Sequence, residues 1–169
     1  DVQTRWQYEH TLVHQSEGKR LRRLWLASRD SARTPVQWTD GENAGFTTGK
    51  PWFYINSNYK QVNVEAEEKD PDSLLNFYRK AIALRKKLDV VRYGTYREYY
   101  PLSGRRYLYS RVYGSKKLLV MCSFSDCTIP MRVPAGFDLS RAKLLLKNYK
   151  TPLDTVLQPF ETRVYYWES

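Results

Sequence analysis

The segment SRDSARTPVQW, residues 28–38, carries side chains that could bind a ligand. Two arginines, an aspartate, a glutamine and a tryptophan occur there without any hydrophobic period. The segment opens a long stretch, residues 27–69, that is crowded with glycine, asparagine, aspartate and threonine. Connections of this length inside compact proteins tend to be functional, so we expect a functional loop here.

Acidic side chains in the same stretch raise the question of catalysis by paired carboxylates. A glycosidase needs two carboxyl groups roughly 5–9.5 Å apart across the bond that it cleaves. No spacing singles out such a pair among the four candidates, Asp30, Asp40, Glu42 and Glu65. The sequence also lacks a recognisable serine or cysteine nucleophile turn and a glycine-rich phosphate loop. The chain therefore supplies binding groups rather than a complete mechanism.

Histidines and cysteines give no metal signature. His10 and His14 have the i, i+4 spacing of metal ligands on a helix, but no third ligand accompanies them. Cys122 and Cys127 are too few for a disulfide framework or a zinc site. We expect both cysteines to be reduced core residues, and we expect no metal or cofactor in this chain.

Composition predicts a globular protein. The chain has 169 residues, of which 41% are hydrophobic and 15% aromatic, enough to fill a core. No apolar run approaches the roughly 20 residues of a membrane span, so we expect a soluble, cytoplasmic protein without a membrane partner. The formal charge of +10 would fit nucleic acid, but the basic residues are scattered. The densest group, GKRLRR at 18–23, is typical of a solvated helix face.

Periodicity predicts an α+β fold. Residues 1–26 have helical spacing in two parts separated by a glycine, and residues 54–69 offer one or two short extended pieces at most. A helix is expected from the N-cap Asp70 and the first helical residue Pro71 to about Lys87. Strand-like runs follow, with six or seven short strands that indicate an antiparallel sandwich. The runs lie at 90–100, 105–114, 116–124, 127–133, 142–149 and 162–168.

Four motifs in a fixed order carry a family resemblance: SRDSARTPVQW, AGFTTGKPW, NYKQVNVEAE and DPDSLLNFYRKAIALRK. Together they resemble the C-terminal portion of the α-glucosidase branch of the α-amylase clan, which holds oligo-1,6-glucosidases, dextran glucosidases and trehalose-6-phosphate hydrolases. The segments DVQTRWQY, KLLLKNY and LQPFETRVYYW are similar to flanking parts of the same enzymes. The resemblance covers nearly the whole chain.

The resemblance implies a place within a larger enzyme. Residues 1–88 would end the catalytic TIM (β/α)8 barrel, with 1–69 as the loop after strand eight and 70–88 as helix eight. Residues 89–169 would be an all-β sandwich domain. The parent would be a retaining exo-α-glucosidase that acts on α-1,6 or α-1,4 bonds of short oligosaccharides. Its catalytic carboxylates and a calcium loop would lie on preceding barrel segments, so no catalytic residue is expected here and the chain alone should be inactive.

The resemblance also implies a binding residue. Arg29, the first arginine of the motif, would hold the terminal glucose together with an aspartate from an early barrel loop. Support of the loop is implied for four neighbours, Asp30, Arg33, Gln37 and Trp38. The chain departs from the family at Ser31, where asparagine is common, and at Val36, where methionine is common. An alternative role for Arg29 is an ion pair that only pins the loop.

Two other functions stay open on the sequence alone. The first is a standalone carbohydrate-binding β-sandwich module that stacks tyrosines on sugar, namely Tyr93, Tyr96, Tyr99, Tyr100, Tyr107 and Tyr109. The second is a basic nucleic-acid-binding domain. These residues do not decide which glucosidic linkage is preferred or whether the substrate is a phosphorylated disaccharide. They also do not decide the oligomeric state.

Overall fold

The computed structural model describes residues 2–10 and 13–168, with the side chain of Ser31 left out. It contains helices and an antiparallel sheet, which confirms the predicted α+β class. The chain forms two compact units, residues 1–69 and residues 70–169. By its contacts the helix of residues 74–87 belongs to the second unit. The assignment of residues 1–88 to a barrel concerns a larger protein and stays a prediction.

Unit one begins with two helices, α1 (Val2–His10) and α2 (Glu17–Ala27), as predicted, but Gly18, expected between them, lies inside α2. Arg20 of α2 joins them, because its guanidinium lies 4.0 Å from the ring centre of Tyr8. The same group donates a hydrogen bond of 2.6 Å to the Tyr8 carbonyl oxygen. The other basic residues of GKRLRR are exposed, as expected of a solvated helix face.

The rest of unit one is a loop region of 3-10 turns at Arg29–Ala32, Glu42–Gly45 and Ser57–Lys60. A short helix, α3 (Val64–Lys69), ends the unit, where the sequence suggested at most an extended piece. Its start is fixed by the side chain of Asn63, whose Oδ1 accepts the amide of Ala66 at 2.8 Å. Local capping therefore overrides the weak strand pattern.

Unit two opens with helix α4 (Leu74–Lys87), which ends where the sequence predicted. Its N-cap is Ser73, not Asp70, because the Ser73 hydroxyl accepts the amide of Asn76 at 3.2 Å. Asp70 instead accepts the amide of Asp72 at 2.9 Å and forms a turn before the helix. Pro71 lies in that turn and not at the first helical position, so the predicted start is wrong by one turn.

A second helix, α5 (Asp89–Tyr93), replaces the first part of a predicted strand. The two β-branched valines favour a strand, but Val90 is fully buried against the sheet as part of a helical turn. Gly94 ends the helix, and a Cβ at this position would lie 2.4 Å from the Val90 carbonyl oxygen. Only glycine fits here without a shift of the backbone.

The sheet of unit two has five antiparallel strands in the order β1-β2-β3-β7-β5, and a second sheet pairs β4 with β6. The strands are β1 (Thr95–Tyr99), β2 (Arg106–Tyr113), β3 (Lys116–Ser123), β4 (Ile129–Pro130), β5 (Lys143–Lys147), β6 (Val156–Leu157) and β7 (Thr162–Glu168). The two-residue strand β6 was not predicted. Its Leu157 and Ile129 of β4 pack against Leu119 and Met121 on the inner face of the large sheet.

The opposite, outer face of the sheet carries a second apolar cluster. Val90 of α5 packs there against Leu118, Val120 and Tyr166. Cys122 is half-buried at the same cluster, and burial raises the pKa of its thiol. Cys127 is exposed in the turn after β3, so the expectation that both cysteines are core residues is wrong for Cys127.

A buried ion pair fixes β7 to the small sheet. The guanidinium of Arg163 donates from Nε to Glu161 Oε1 at 2.7 Å and from Nη2 to Oε2 at 2.9 Å. Both side chains are almost completely buried. Nη2 also donates to the Val156 carbonyl oxygen at 2.8 Å, and Glu161 accepts the amide of Gln158 at 2.8 Å. Burial opposes the charge of Arg163, but its interactions with Glu161 and Tyr165 raise the pKa of its guanidinium.

Replacement of Arg163 by methionine should destabilise unit two strongly. The change leaves the Glu161 carboxylate buried without its cation, which costs about 3–5 kcal/mol in the free energy of unfolding. Lys116→Met is the matched control, since it removes the exposed pair of Lys116 with Glu168, worth less than about 1 kcal/mol. Urea unfolding followed by tryptophan fluorescence measures both, and equal losses would contradict the role of the buried pair.

Candidate functional site

The loop segment that contains the candidate residues begins with a fixed turn. The Ser28 amide donates to the Leu24 carbonyl oxygen at 2.7 Å, which ends α2. Its hydroxyl then accepts the amide of Asp30 at 3.3 Å, and the Asp30 carbonyl oxygen accepts the amide of Arg33 at 3.1 Å. The backbone from Ser28 to Arg33 is therefore set by local hydrogen bonds. Arg29 and Arg33 are exposed, and Asp30 is half-buried.

A second group of contacts holds Gln37 and Trp38. The Gln37 side-chain amide donates to Asn58 Oδ1 at 3.1 Å and to the Val62 carbonyl oxygen. The carbonyl oxygens of Gln37 and Trp38 accept the amides of residues 64 and 65 at 2.9 and 3.0 Å. Gln37 thus joins two parts of the loop that are more than twenty residues apart in sequence. The indole of Trp38 is about half exposed.

Sequence reasoning missed a strained turn that supports this segment. Three consecutive residues, Asn43, Ala44 and Gly45, have φ angles of 51°, 55° and 64°. Ala44 is fully buried, and its carbonyl oxygen accepts the amides of Trp38 and Thr39 at 2.8 and 3.1 Å. Backbone in the left-handed region costs energy for residues with a side chain. The only signal was the crowding of asparagine and glycine, which favours turns without specifying one.

The turn is closed by the Asn43 side chain. Its Nδ2 donates to the carbonyl oxygens of Thr47 and Gly49, both at 3.2 Å. At Gly45 a Cβ would lie 2.7 Å from the Thr39 hydroxyl oxygen, so glycine is required there by space as well as by φ. The segment 39–49 is therefore a compact support for Trp38 and not a free loop.

His10, one of the two histidines with metal-ligand spacing, contacts a residue of its own helix. The His10 ring stacks on Trp6 with centroids 5.2 Å apart, and its Nδ1 lies 3.0 Å from the Trp6 carbonyl oxygen. Within residues 2–10 and 13–168, no three histidine, cysteine, aspartate or glutamate side chains are grouped to hold a metal ion. The calcium expectation concerns barrel segments outside this chain and stays a prediction. No helix in the described ranges has the length and apolar character of a membrane span.

The tyrosines suggested for a sugar-stacking module do not share one face. Tyr99 lies on the inner face, where its ring is 6.3 Å from Phe137. Tyr96, Tyr107 and Tyr109 lie together on the outer face, with ring centroids 5.2–5.4 Å apart. The Tyr96 hydroxyl is 3.0 Å from that of Tyr107, and this hydrogen bond is the main cause that raises the pKa of Tyr96. A single platform of all six tyrosines is therefore not present.

Comparison with known proteins identifies the class. Residues 3–94 match the family model of the alpha-amylase catalytic domain, and the chain belongs to this family. It is 37% identical to the oligo-1,6-glucosidase of Parageobacillus thermoglucosidasius, across 98% of this chain and 31% of that protein. It is 39% identical to the trehalose-6-phosphate hydrolase of Escherichia coli, across 79% of this chain and 25% of that enzyme.

A solved structure agrees with these relatives. The trehalose-6-phosphate hydrolase of Bacillus licheniformis superimposes on the whole chain with a TM-score of 0.90 and 32% sequence identity. The alignment covers 32% of that enzyme. The resemblance to the oligo-1,6-glucosidase and trehalose-6-phosphate hydrolase branch is thus confirmed. The chain spans about a third of the length of the relatives it matches.

Gln37→Ala should loosen the support of the loop. The change removes two side-chain hydrogen bonds, and a net loss of about 1 kcal/mol corresponds to roughly 5-fold faster opening. Amide hydrogen exchange at Val64 and Glu65 measures this, because these amides donate to the Gln37 and Trp38 carbonyl oxygens. Gln61→Ala, at an exposed neighbouring glutamine, is the control. Unchanged exchange in Gln37→Ala would show that the side chain does not hold the loop.

Proposed function

We propose that this chain is the C-terminal third of a retaining exo-α-glucosidase of the α-amylase family. The observation that carries the proposal is the match of residues 3–94 to the catalytic-domain model, together with coverage of only a quarter to a third of the relatives. Residues 1–69 form the loop after barrel strand eight, residues 70–88 form helix eight, and residues 89–169 form the C-terminal β-sandwich domain. The substrate is a short α-1,6- or α-1,4-linked oligosaccharide.

Helix α4 supports the barrel assignment. It is amphipathic, yet none of its fourteen residues is buried within this chain. Leu74, Tyr78 and Ile82 leave 67%, 61% and 50% of their surface exposed. Surface helices normally bury such a stripe, so its exposure is what a barrel helix would display without the sheet that it covers. The partner of α4 is then the preceding barrel portion of the same polypeptide.

The chemistry follows from the class of reaction. In a retaining glycosidase a carboxylate attacks the anomeric carbon while a carboxylic acid protonates the leaving oxygen, and water then releases the covalent glucosyl-enzyme. Both carboxyl groups belong to the preceding barrel segments in this proposal. Residues of this chain bind and orient the substrate, which raises the rate by placing the anomeric carbon next to the nucleophile.

Arg29 is the residue that we assign to substrate binding. It lies on a turn whose backbone is set by Ser28 and Asp30, so its starting position is defined before a ligand arrives. A guanidinium is a planar fork of donors that can serve a sugar hydroxyl and a carboxylate together, which a lysine ammonium cannot reproduce. At the closed end of a pocket such a group admits only a terminal glucose. Asp30, Arg33, Gln37 and Trp38 support the loop in this proposal.

The purified chain should not hydrolyse p-nitrophenyl α-glucoside, because the nucleophile and the acid are contributed by other segments. The assay compares product release with that of a full-length oligo-1,6-glucosidase at equal molar concentration. Release above the uncatalysed rate, retained after a second purification step, would contradict the assignment of the catalytic groups.

A chimaera tests Arg29 directly. This chain replaces the matching C-terminal third of the Parageobacillus thermoglucosidasius enzyme, and activity on isomaltose is measured. Arg29→Lys should lower kcat/KM roughly 10- to 100-fold, since hydrogen bonds to charged groups contribute about 1.5–3 kcal/mol. Arg22→Lys, at an exposed arginine of α2, is the matched control with a change of about 2-fold at most. Equal losses in both variants would contradict the binding role, and a folded but inactive chimaera would contradict the proposed function.

A further inference from the structure

A cavity of about 330 Å³ lies on the inner face of the large sheet in unit two. Its floor is formed by β1 and β2 and its wall by the loop around Phe137. The volume is at the lower end of the range for small-molecule sites and suits a single sugar ring with one substituent. The lining residues all follow residue 94, so the cavity lies outside the part that matches the catalytic-domain model.

Two cations line the cavity, and strand register places them on the same face. Arg97 pairs with Ser110 across β1 and β2, and Lys117 pairs with Val112 across β2 and β3. Ser110 and Val112 are two residues apart and therefore point to the same side of the sheet. The two cationic side chains thus flank the same floor from opposite sides of β2.

Neither cation forms an ion pair with a described residue, and Lys117 also borders a neighbouring cavity that is lined by Asp138 and Glu168. Among the residues that the structure describes, no carboxylate forms an ion pair with Arg97 or Lys117, and no acidic side chain lines the cavity. The Arg97 guanidinium instead lies over the Tyr99 ring, 5.3 Å from its centre. A ring face orients the guanidinium without using its N–H donors, so they stay available to an anion.

The remaining polar groups suit hydroxyl groups of a ligand. Thr95 and the hydrogen-bonded pair of Tyr99 and Ser110, 3.1 Å apart, supply three hydroxyls. Each hydroxyl can donate one hydrogen bond and accept two, so Tyr99 and Ser110 can each form a further hydrogen bond with a ligand hydroxyl. The Phe137 ring adds an apolar wall of the kind that packs against a sugar ring.

We propose that this cavity binds a phosphorylated sugar, with the phosphate between Arg97 and Lys117 and the sugar ring against Phe137. An arginine and a lysine together neutralise the charge of a phosphate monoester, and the guanidinium can hold two of its oxygens. The site is a ligand-binding site of the β-rich unit. It requires no contribution from Arg29 and no catalytic carboxylate, so its test is independent of the proposed function.

The test measures binding of glucose 6-phosphate to the whole chain by isothermal titration calorimetry, beside glucose and inorganic phosphate. We expect saturable binding of glucose 6-phosphate that is at least 10-fold tighter than that of either part. Arg97→Met and Lys117→Met should each weaken it 10-fold or more, and raised salt should weaken it as well. Lys86→Met, at an exposed lysine of α4, is the control and should leave affinity unchanged.

A second variant guards against indirect effects of lost charge. Val112 lines the cavity and is 39% exposed, so Val112→Trp fills the space without opening the core. It should abolish binding while the melting temperature stays near that of the original chain. The proposal is overturned if no saturable binding is seen, if inorganic phosphate binds as tightly as glucose 6-phosphate, or if both Arg97→Met and Val112→Trp bind normally.

Discussion

The packing of unit two depends on strand β7. It lies between β3 and β5, so it supplies the ladder partner of both neighbours. Alternate residues serve the two faces: Tyr165 faces the inner core and Tyr166 the outer cluster. Arg163 adds the buried pair that connects β7 with the small sheet through the Val156 carbonyl oxygen. The inner core, the small sheet and the position of α5 over the outer face are therefore set by one strand.

Unit one is organised by a different principle. Between residues 28 and 63 it has no long helix or strand to satisfy its backbone groups, so side chains and tight turns do this. Ser28, Asn43 and Gln37 bond to backbone groups that are two, four and 25 residues away, respectively. Ala44 adopts a left-handed backbone conformation, which costs energy, and in this conformation its buried carbonyl oxygen accepts the Trp38 amide. Such a loop keeps a defined backbone although it contains no long helix or strand.

Much of this arrangement could be predicted from the sequence, and the failures have physical causes. Helical spacing located α1, α2 and the end of α4 because these helices have nine, eleven and fourteen residues, which is long enough for a helical period to show. The start of α4 was misplaced because Asp70 and Ser73 are both good caps, and only the structure decides which one bonds. The valines of α5 are a short apolar run, which strand and helix share. The proposed role of Arg29 rests on family resemblance alone, since the sugar and the barrel aspartate that it would contact lie outside this chain.

Several arginines serve the packing of the unit in which they lie. Arg20 is engaged with Tyr8 in unit one, and Arg163 is buried in an ion pair in unit two. Arg111 donates to the Gly94 carbonyl oxygen at 2.9 Å and holds the end of α5. Arg97 faces the inner cavity, on the opposite side of the sheet from Arg111. These four arginines therefore differ in their surroundings, and three of them have a packing role within their own unit.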